Sequence, residues 1–290
     1  MIELLQSDLF LKMIVAAVLI GLCAPAVGTF IVQRRLALLG DGIGHIALTG
    51  VALGFLTQTS PTLTAVAVSV VGAIVIELVR TRGRTGGDVA LALLFYGGIA
   101  GGVLLMSVAT GGSSTKLNSF LFGAIALVSP QDLWIIGALA AAVIGVVLVF
   151  GRELFLLCQD EELARASGLP VRFLSMLIAV TAALTVVIAM RVVGLLLVSA
   201  LMVIPVATSQ QFTRGFRSTM ALSMVFGVLA AVGGVLGSTV SDRVPPGATI
   251  VIVALAGFVV AVALGRFVRR ARIKEPAAAG RPSMRVEEVT

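Results

Sequence analysis

Asp41 and His45 are the residues whose types and spacing suggest chemistry. They stand four apart in "LALLGDGIGHIALTGVALGF", residues 36–55, an otherwise apolar run, and His45 is the one histidine of the chain. On a helix, residues four apart share a face with Cβ atoms about 6 Å apart, so a carboxylate and an imidazole there can act on one ligand. Those two donors suit a borderline divalent cation such as zinc, which takes His nitrogen and Asp oxygen. Two donors do not close a tetrahedral site, but two copies of the chain meeting around a path would supply four. Weak coordination is what a conduit needs, since an ion held too firmly never leaves. A plainer reading makes Asp41 a helix N-cap after Gly40, with His45 bonded to a nearby carbonyl.

The elements that must position this pair follow from composition. The chain has 290 residues, 59% hydrophobic and 12% charged, with a mean hydropathy of +1.13, whereas soluble domains carry roughly 25% charged residues. This describes an all-α polytopic membrane protein. Apolar windows bounded by turn and charge signals predict nine spans, give or take one, at about 10–33, 41–57, 62–80, 88–109, 131–150, 172–190, 192–208, 218–239 and 247–265. The sixth and seventh are joined only by "MRVVG". Between the fourth and fifth, "TGGSSTKLNSFLFGAIALVSPQ" holds an apolar piece too short to cross, expected as a re-entrant or interfacial element on the outer side. The transmembrane unit is expected over 1–270, and 271–290 is expected to be a disordered cytoplasmic tail. The N-terminus lacks a basic region before its apolar run and a small-residue cleavage site after it, so it is expected to be a first span.

Charge placement orients the bundle. With the N-terminus outside, 17 of the 21 Lys and Arg fall in segments on the inner side; the other four are Lys12, Lys116, Arg191 and Arg243. The positive-inside rule then puts the C-terminus in the cytoplasm. The net charge of +7 is thus explained by topology, and no nucleic-acid partner is expected, because the charge is spread over short loops and a tail rather than one basic face. Cys23 and Cys158 have no partner at metal or redox spacing and are expected as free thiols.

Small residues surround the pair. Gly50 and Gly54 form a small-xxx-small face that lets helices approach closely, while Gly40, Gly42 and Gly44 are no dinucleotide loop, because no strand precedes them. A faint repeat sets "APAVGTFIVQR" (24–34) beside "IPVATSQQFTR" (204–214), each with a proline nine residues before an arginine. The longest inner segment, "GRELFLLCQDEELARASGLPVRF" (151–173), contains a short charged helix, "EELARASG", stopped by Gly168 with Pro170 beyond. It reads either as a solvated surface helix or as a docking helix for a cytoplasmic partner. In the second reading Glu161, Glu162 and Arg165 fix orientation, and Ala164, Ala166 and Gly168 allow close contact.

Three stretches resemble the permease subunits of bacterial ABC importers for zinc, manganese and iron(II), most nearly the zinc-uptake permeases. "ALLGDGIGHIALTGVALGF" is similar to the family's second-span signature, "DEELARASGLP" to its coupling segment, and "RVVGLLLVSALMVIPVATSQ" to a late span carrying a proline. The resemblance runs in order from about residue 10 to 265. It implies a homodimeric permease in the bacterial plasma membrane, with Asp41 and His45 in the permeation path. It also implies two cytoplasmic ATPase subunits docked at the coupling segments, and an extracellular metal-binding protein that delivers the ion. Gly42 and Gly44 stand where the family more often has Ala or Ser, which puts helix regularity there in question.

Absences agree with this division of labour. The chain has no G-x-x-x-x-G-K-[ST] phosphate loop, no H-E-x-x-H and no G-x-S-x-G, so it is not expected to be an enzyme, and ATP hydrolysis is assigned to a partner. No cofactor is expected to stay bound; the metal, zinc before manganese, is cargo. The alternative is a secondary metal transporter driven by an ion gradient, a class that usually carries more intramembrane carboxylates than this chain has. Glu77 and Asp88, near span ends beside Arg80 to Arg84, are expected as loop ion pairs.

Overall fold

In lipid a chain must satisfy its backbone N–H and C=O groups internally, so apolar spans become helices. The computed structural model describes residues 8–82, 87–109, 121, 123, 130–239 and 244–274. Its helices are α1 (Asp8–Gln33), α2 (Leu39–Leu56), α3 (Pro61–Arg82), α4 (Gly87–Ala109), α5 (Pro130–Gln159), α6 (Glu161–Ala166), α7 (Val171–Val192), α8 (Val198–Ser209), α9 (Phe216–Ser238) and α10 (Pro246–Lys274). Among the described residues, eight helices are long and apolar enough to cross a membrane. The expected re-entrant element lies almost wholly outside the described residues, as do residues 275–290 of the expected tail; residues 271–274, expected as tail, instead continue α10.

The seventh expected span differs. Gly194 adopts φ +91°, a conformation that favours glycine, and it separates α7 from a single 3₁₀ turn, Leu195–Leu197, that leads into α8. With 12 residues, α8 is about 18 Å long, short of the roughly 30 Å hydrocarbon core. Its first residue, Val198, is buried among the other helices.

Two helices organise the rest. α1 is packed by α9, α8, α5 and α7, and α2 by α4, α3 and α7. α1 and α7 are largely buried, whereas α4, α5 and α10 turn most of their surface outward, with apolar side chains such as Leu93, Leu148, Val149 and Val259 exposed. Those outward faces suit lipid.

The close contacts depend on glycine. Pro25 lies inside α1 and has no N–H to give the Gly21 carbonyl; Gly227 of α9 comes up against that carbonyl oxygen and the Pro25 ring, so closely that a Cβ at Gly227 would collide with both. A Cβ at Gly28 would collide with the Met202 carbonyl of α8. Gly50 and Gly54 fit the expected small-residue face: their added Cβ atoms would stand 2.7 Å from Ala65 Cα and 2.6 Å from Pro61 Cα of α3.

Gly28→Ala should therefore destabilise by about 1 to 3 kcal/mol through overpacking, read as a lowered thermal midpoint in detergent. Gly145→Ala, with open space at the same position, should leave the midpoint unchanged or raised. Equal midpoints would contradict the seating of α8 on α1.

Candidate functional site

α2 is regular through its glycines. It begins at Leu39 after Leu38, an N-cap residue that makes no side-chain capping bond, and Asp41 falls within the first turn. Asp41 is thus not the N-cap. Its Oδ1 accepts a 2.5 Å hydrogen bond from Ser199 Oγ of α8, a partner 158 residues away that sequence reasoning missed. Ser199 lies ten residues before Ser209, about 15 Å of helical rise from the end of α8, so the pair is set within the bundle. Gly40 makes room for this contact, since its Cβ would stand 3.2 Å from Ser199 Oγ.

One turn along, His45 meets α4. The Phe95 ring stands edge-on to the imidazole at 4.8 Å between centroids. Gly98 lets the α4 backbone come this near: a Cβ there would lie 3.0 Å from the His45 carbonyl carbon. Thr49 Oγ1 donates toward the carbonyl oxygens of both His45 and Gly98, at 3.5 and 3.4 Å. Asp41 and His45 are each half-buried, with the expected i,i+4 relation on one continuous helix. Among the described residues no group of three or more His, Cys, Asp or Glu side chains could hold a metal ion, so a single chain offers a pair and not an enclosed site.

The second site is α6. Asp160 caps it, its carboxylate accepting from the backbone N–H groups of Glu162 at 2.8 Å and Leu163 at 3.0 Å. Gly168, at φ +79°, closes it: its N–H bonds the Arg165 carbonyl, and the Leu169 N–H bonds the Ala164 carbonyl, both at 3.1 Å. The helix is thus held at both ends. Ala164 corrects one expectation, being fully buried; its small side chain seats α6 on its own bundle and is not offered to a partner. Glu161, Glu162, Arg165, Ala166 and Gly168 are exposed, together with Leu163, which the sequence did not single out.

Behind α6 lies a charge network that the sequence reading reduced to loop ion pairing. Glu77 of α3 is 4% exposed, and Arg80 grips both its carboxylate oxygens at 3.0 and 2.8 Å. The Ser175 hydroxyl of α7 donates to Glu77 Oε1 at 2.5 Å while accepting from Arg80 and Arg34. Arg34, just past α1, also reaches Glu161 of α6 at 3.2 Å, and Glu161 pairs with Arg165 at 3.2 Å. Burial, with Arg80 nearby, pulls the Arg34 guanidinium below its ordinary range, while Glu77, Cys158 and Glu161 pull it back. The i,i+3 spacing of Glu77 and Arg80 was the available signal; Arg34 and Ser175 come from other elements and left none. Asp88 has no described side-chain placement.

The two kinds of ion pair should differ on mutation. Glu77→Ala leaves Arg80 and Arg34 without their buried carboxylate, a loss of about 3 to 5 kcal/mol, whereas Arg165→Ala removes an exposed i,i+4 pair of about 0.3 to 0.5 kcal/mol. Thermal midpoints of the two variants check this, and a mild effect of Glu77→Ala would mean the network is not closed as described.

Known proteins resemble this chain over nearly its whole length. Residues 6–265 match the ABC 3 transport family. The manganese transport system membrane protein MntC of Halalkalibacterium halodurans is 32% identical over 95% of this chain and 96% of its own. The manganese import system permease protein ScaB of Streptococcus gordonii is 34% identical over 85% and 88%. The solved structure of PsaBC from Streptococcus pneumoniae in complex with Fab matches with a TM-score of 0.83 at 31% identity, covering 93% of this chain and 98% of that one. These matches remove the gradient-driven alternative and leave ATP hydrolysis to a separate subunit. The chain belongs to the ABC 3 transport family, as a multi-pass membrane permease subunit of a metal-ion ABC importer.

Proposed function

We propose that two copies of this chain form a path for a divalent transition metal through the bacterial plasma membrane, with the C-terminus in the cytoplasm, and that Asp41 and His45 are its transit ligands. The observation that carries this is the half-buried Asp41, set within the bundle by Ser199 and sharing a helix face with His45. A single chain brings too few donors, and a second copy doubles them. Manganese is the first cargo and zinc the second. The Ser199 hydroxyl beside Asp41 makes the donor set richer in oxygen than the sequence suggested, and oxygen-rich sites suit manganese. The names of relatives such as MntC and ScaB point the same way.

An ATPase dimer docks at α6 of each copy, and an extracellular metal-binding protein delivers the ion. ATP-driven closure of the ATPase pushes α6, and the Glu161–Arg34 ion pair passes the displacement to the end of α1. Only six residues of chain lie between Arg34 and Asp41, so a shift of the α1–α2 turn moves the transit pair toward one side or the other. Gly168→Arg should weaken ATPase docking and leave the membrane fold intact, because the left-handed conformation there strains any side chain.

The test is uptake of labelled manganese and zinc by the chain reconstituted with its ATPase and binding protein. His45→Ala and Asp41→Ala should each lower uptake at least tenfold with folding unchanged. Wild-type uptake should fall once the medium is acid enough to protonate His45, because only the neutral ring ligates metal. Wild-type rates in both variants would remove the pair from the path.

A further inference from the structure

On the membrane face that carries α6, the last turns of α5 and the first turn of α9 diverge and leave a groove of about 920 Å³. Phe155 and Phe216, packed at 4.8 Å between ring centroids, help to line it, and Arg152 and Arg217 line it from opposite helices. Both arginines are exposed, and among the described residues neither has an ion-pair partner. This sets them apart from Arg34 and Arg80, whose charges are matched. The walls continue onto surface that suits lipid: Leu148 lines the groove and is 78% exposed, and its neighbour Val149 is 70% exposed, on a helix able to cross the membrane.

An apolar trough that opens onto hydrocarbon and carries two unmatched cations has one natural complement. We infer that this groove is a binding site for an anionic phospholipid, its phosphate held between Arg152 and Arg217 and an acyl chain laid along Leu148 and the Phe155–Phe216 pair. Guanidinium groups bind phosphate oxygens through paired N–H donors, and the leaflet that the positive-inside rule assigns to this face is the one enriched in anionic lipid. The α9 backbone N–H groups open at the same mouth without a side-chain cap, a minor addition to a site made by the groove and its arginines. A soluble acidic protein would have to reach past the exposed apolar wall. A lipid reaches it by diffusing within the leaflet.

Gly151 supplies the sharper test. It lines the groove, and a Cβ added to it would meet nothing within 4 Å, so Gly151→Leu fills the trough while leaving both arginines and the helix packing in place. The full chain is purified in mild detergent, titrated with phosphatidylglycerol or phosphatidylcholine, and its bound lipids are counted by native mass spectrometry. Phosphatidylglycerol should be retained over phosphatidylcholine. Arg152→Ala with Arg217→Ala should weaken its binding roughly 30-fold, the contribution of two interfacial arginines, and Gly151→Leu should weaken it with the charge unchanged. Millimolar inorganic phosphate should not displace it. Undiminished phosphatidylglycerol binding in both variants, or displacement by free phosphate, would overturn the site. So would loss of ATPase copurification in the arginine variant with lipid binding intact, which would give the arginines to a protein partner.

Discussion

Inside a bilayer, apolar side chains gain little by leaving lipid for one another, so helices associate only where backbones come close or polar groups must be shared. Contacts of both kinds stand beside the buried apolar core of this protein. Gly21, Gly28, Gly50, Gly54, Gly98 and Gly227 bring backbones within reach. The Asp41–Ser199 pair and the Glu77–Arg80–Ser175–Arg34 network supply polar contacts that lipid cannot satisfy. The two sets divide the work, with the glycines setting helix spacing and the Glu77–Arg80–Ser175–Arg34 network lying behind α6.

That division connects the two sites. α1 is held in its middle by α8 and α9, and just past its end Arg34 ties it to Glu161, so in the proposed coupling a displacement of α6 reaches α1 at its tip. The turn after that tip leads directly into Asp41. Arg35 takes up the change of direction with φ +58°, a conformation few non-glycine residues adopt. A short and sharply bent connection transmits displacement where a slack loop would absorb it.

Much of this was legible before any coordinates. Hydropathy alone located the long helices, because lipid imposes a minimum apolar length that composition records directly. The Asp41–His45 face, the Gly50–Gly54 contact and the Gly168 stop were readable because each is a local spacing on one helix. What escaped reading joins distant segments or depends on depth. Ser199 meets Asp41 across 158 positions. Ala164 reads as a small residue for a partner until its burial assigns it to the chain's own bundle. Glu77 looks like a loop carboxylate because window averages cannot tell a buried end of a helix from an exposed one. The seventh span was misjudged in length, since "VVGLLLVSALMVIPVATS" is apolar throughout and its break at Gly194 is a matter of one dihedral angle.

That break has an electrostatic consequence. Because α8 starts within the bundle, the partial positive charge at its N-terminal end, about half an elementary charge, is brought beside the Asp41 carboxylate through Ser199. A cation drawn toward that carboxylate meets an attraction already partly offset by the backbone itself. In the proposed path, the potential well is thus shallower than a lone aspartate in a low-dielectric interior would make it.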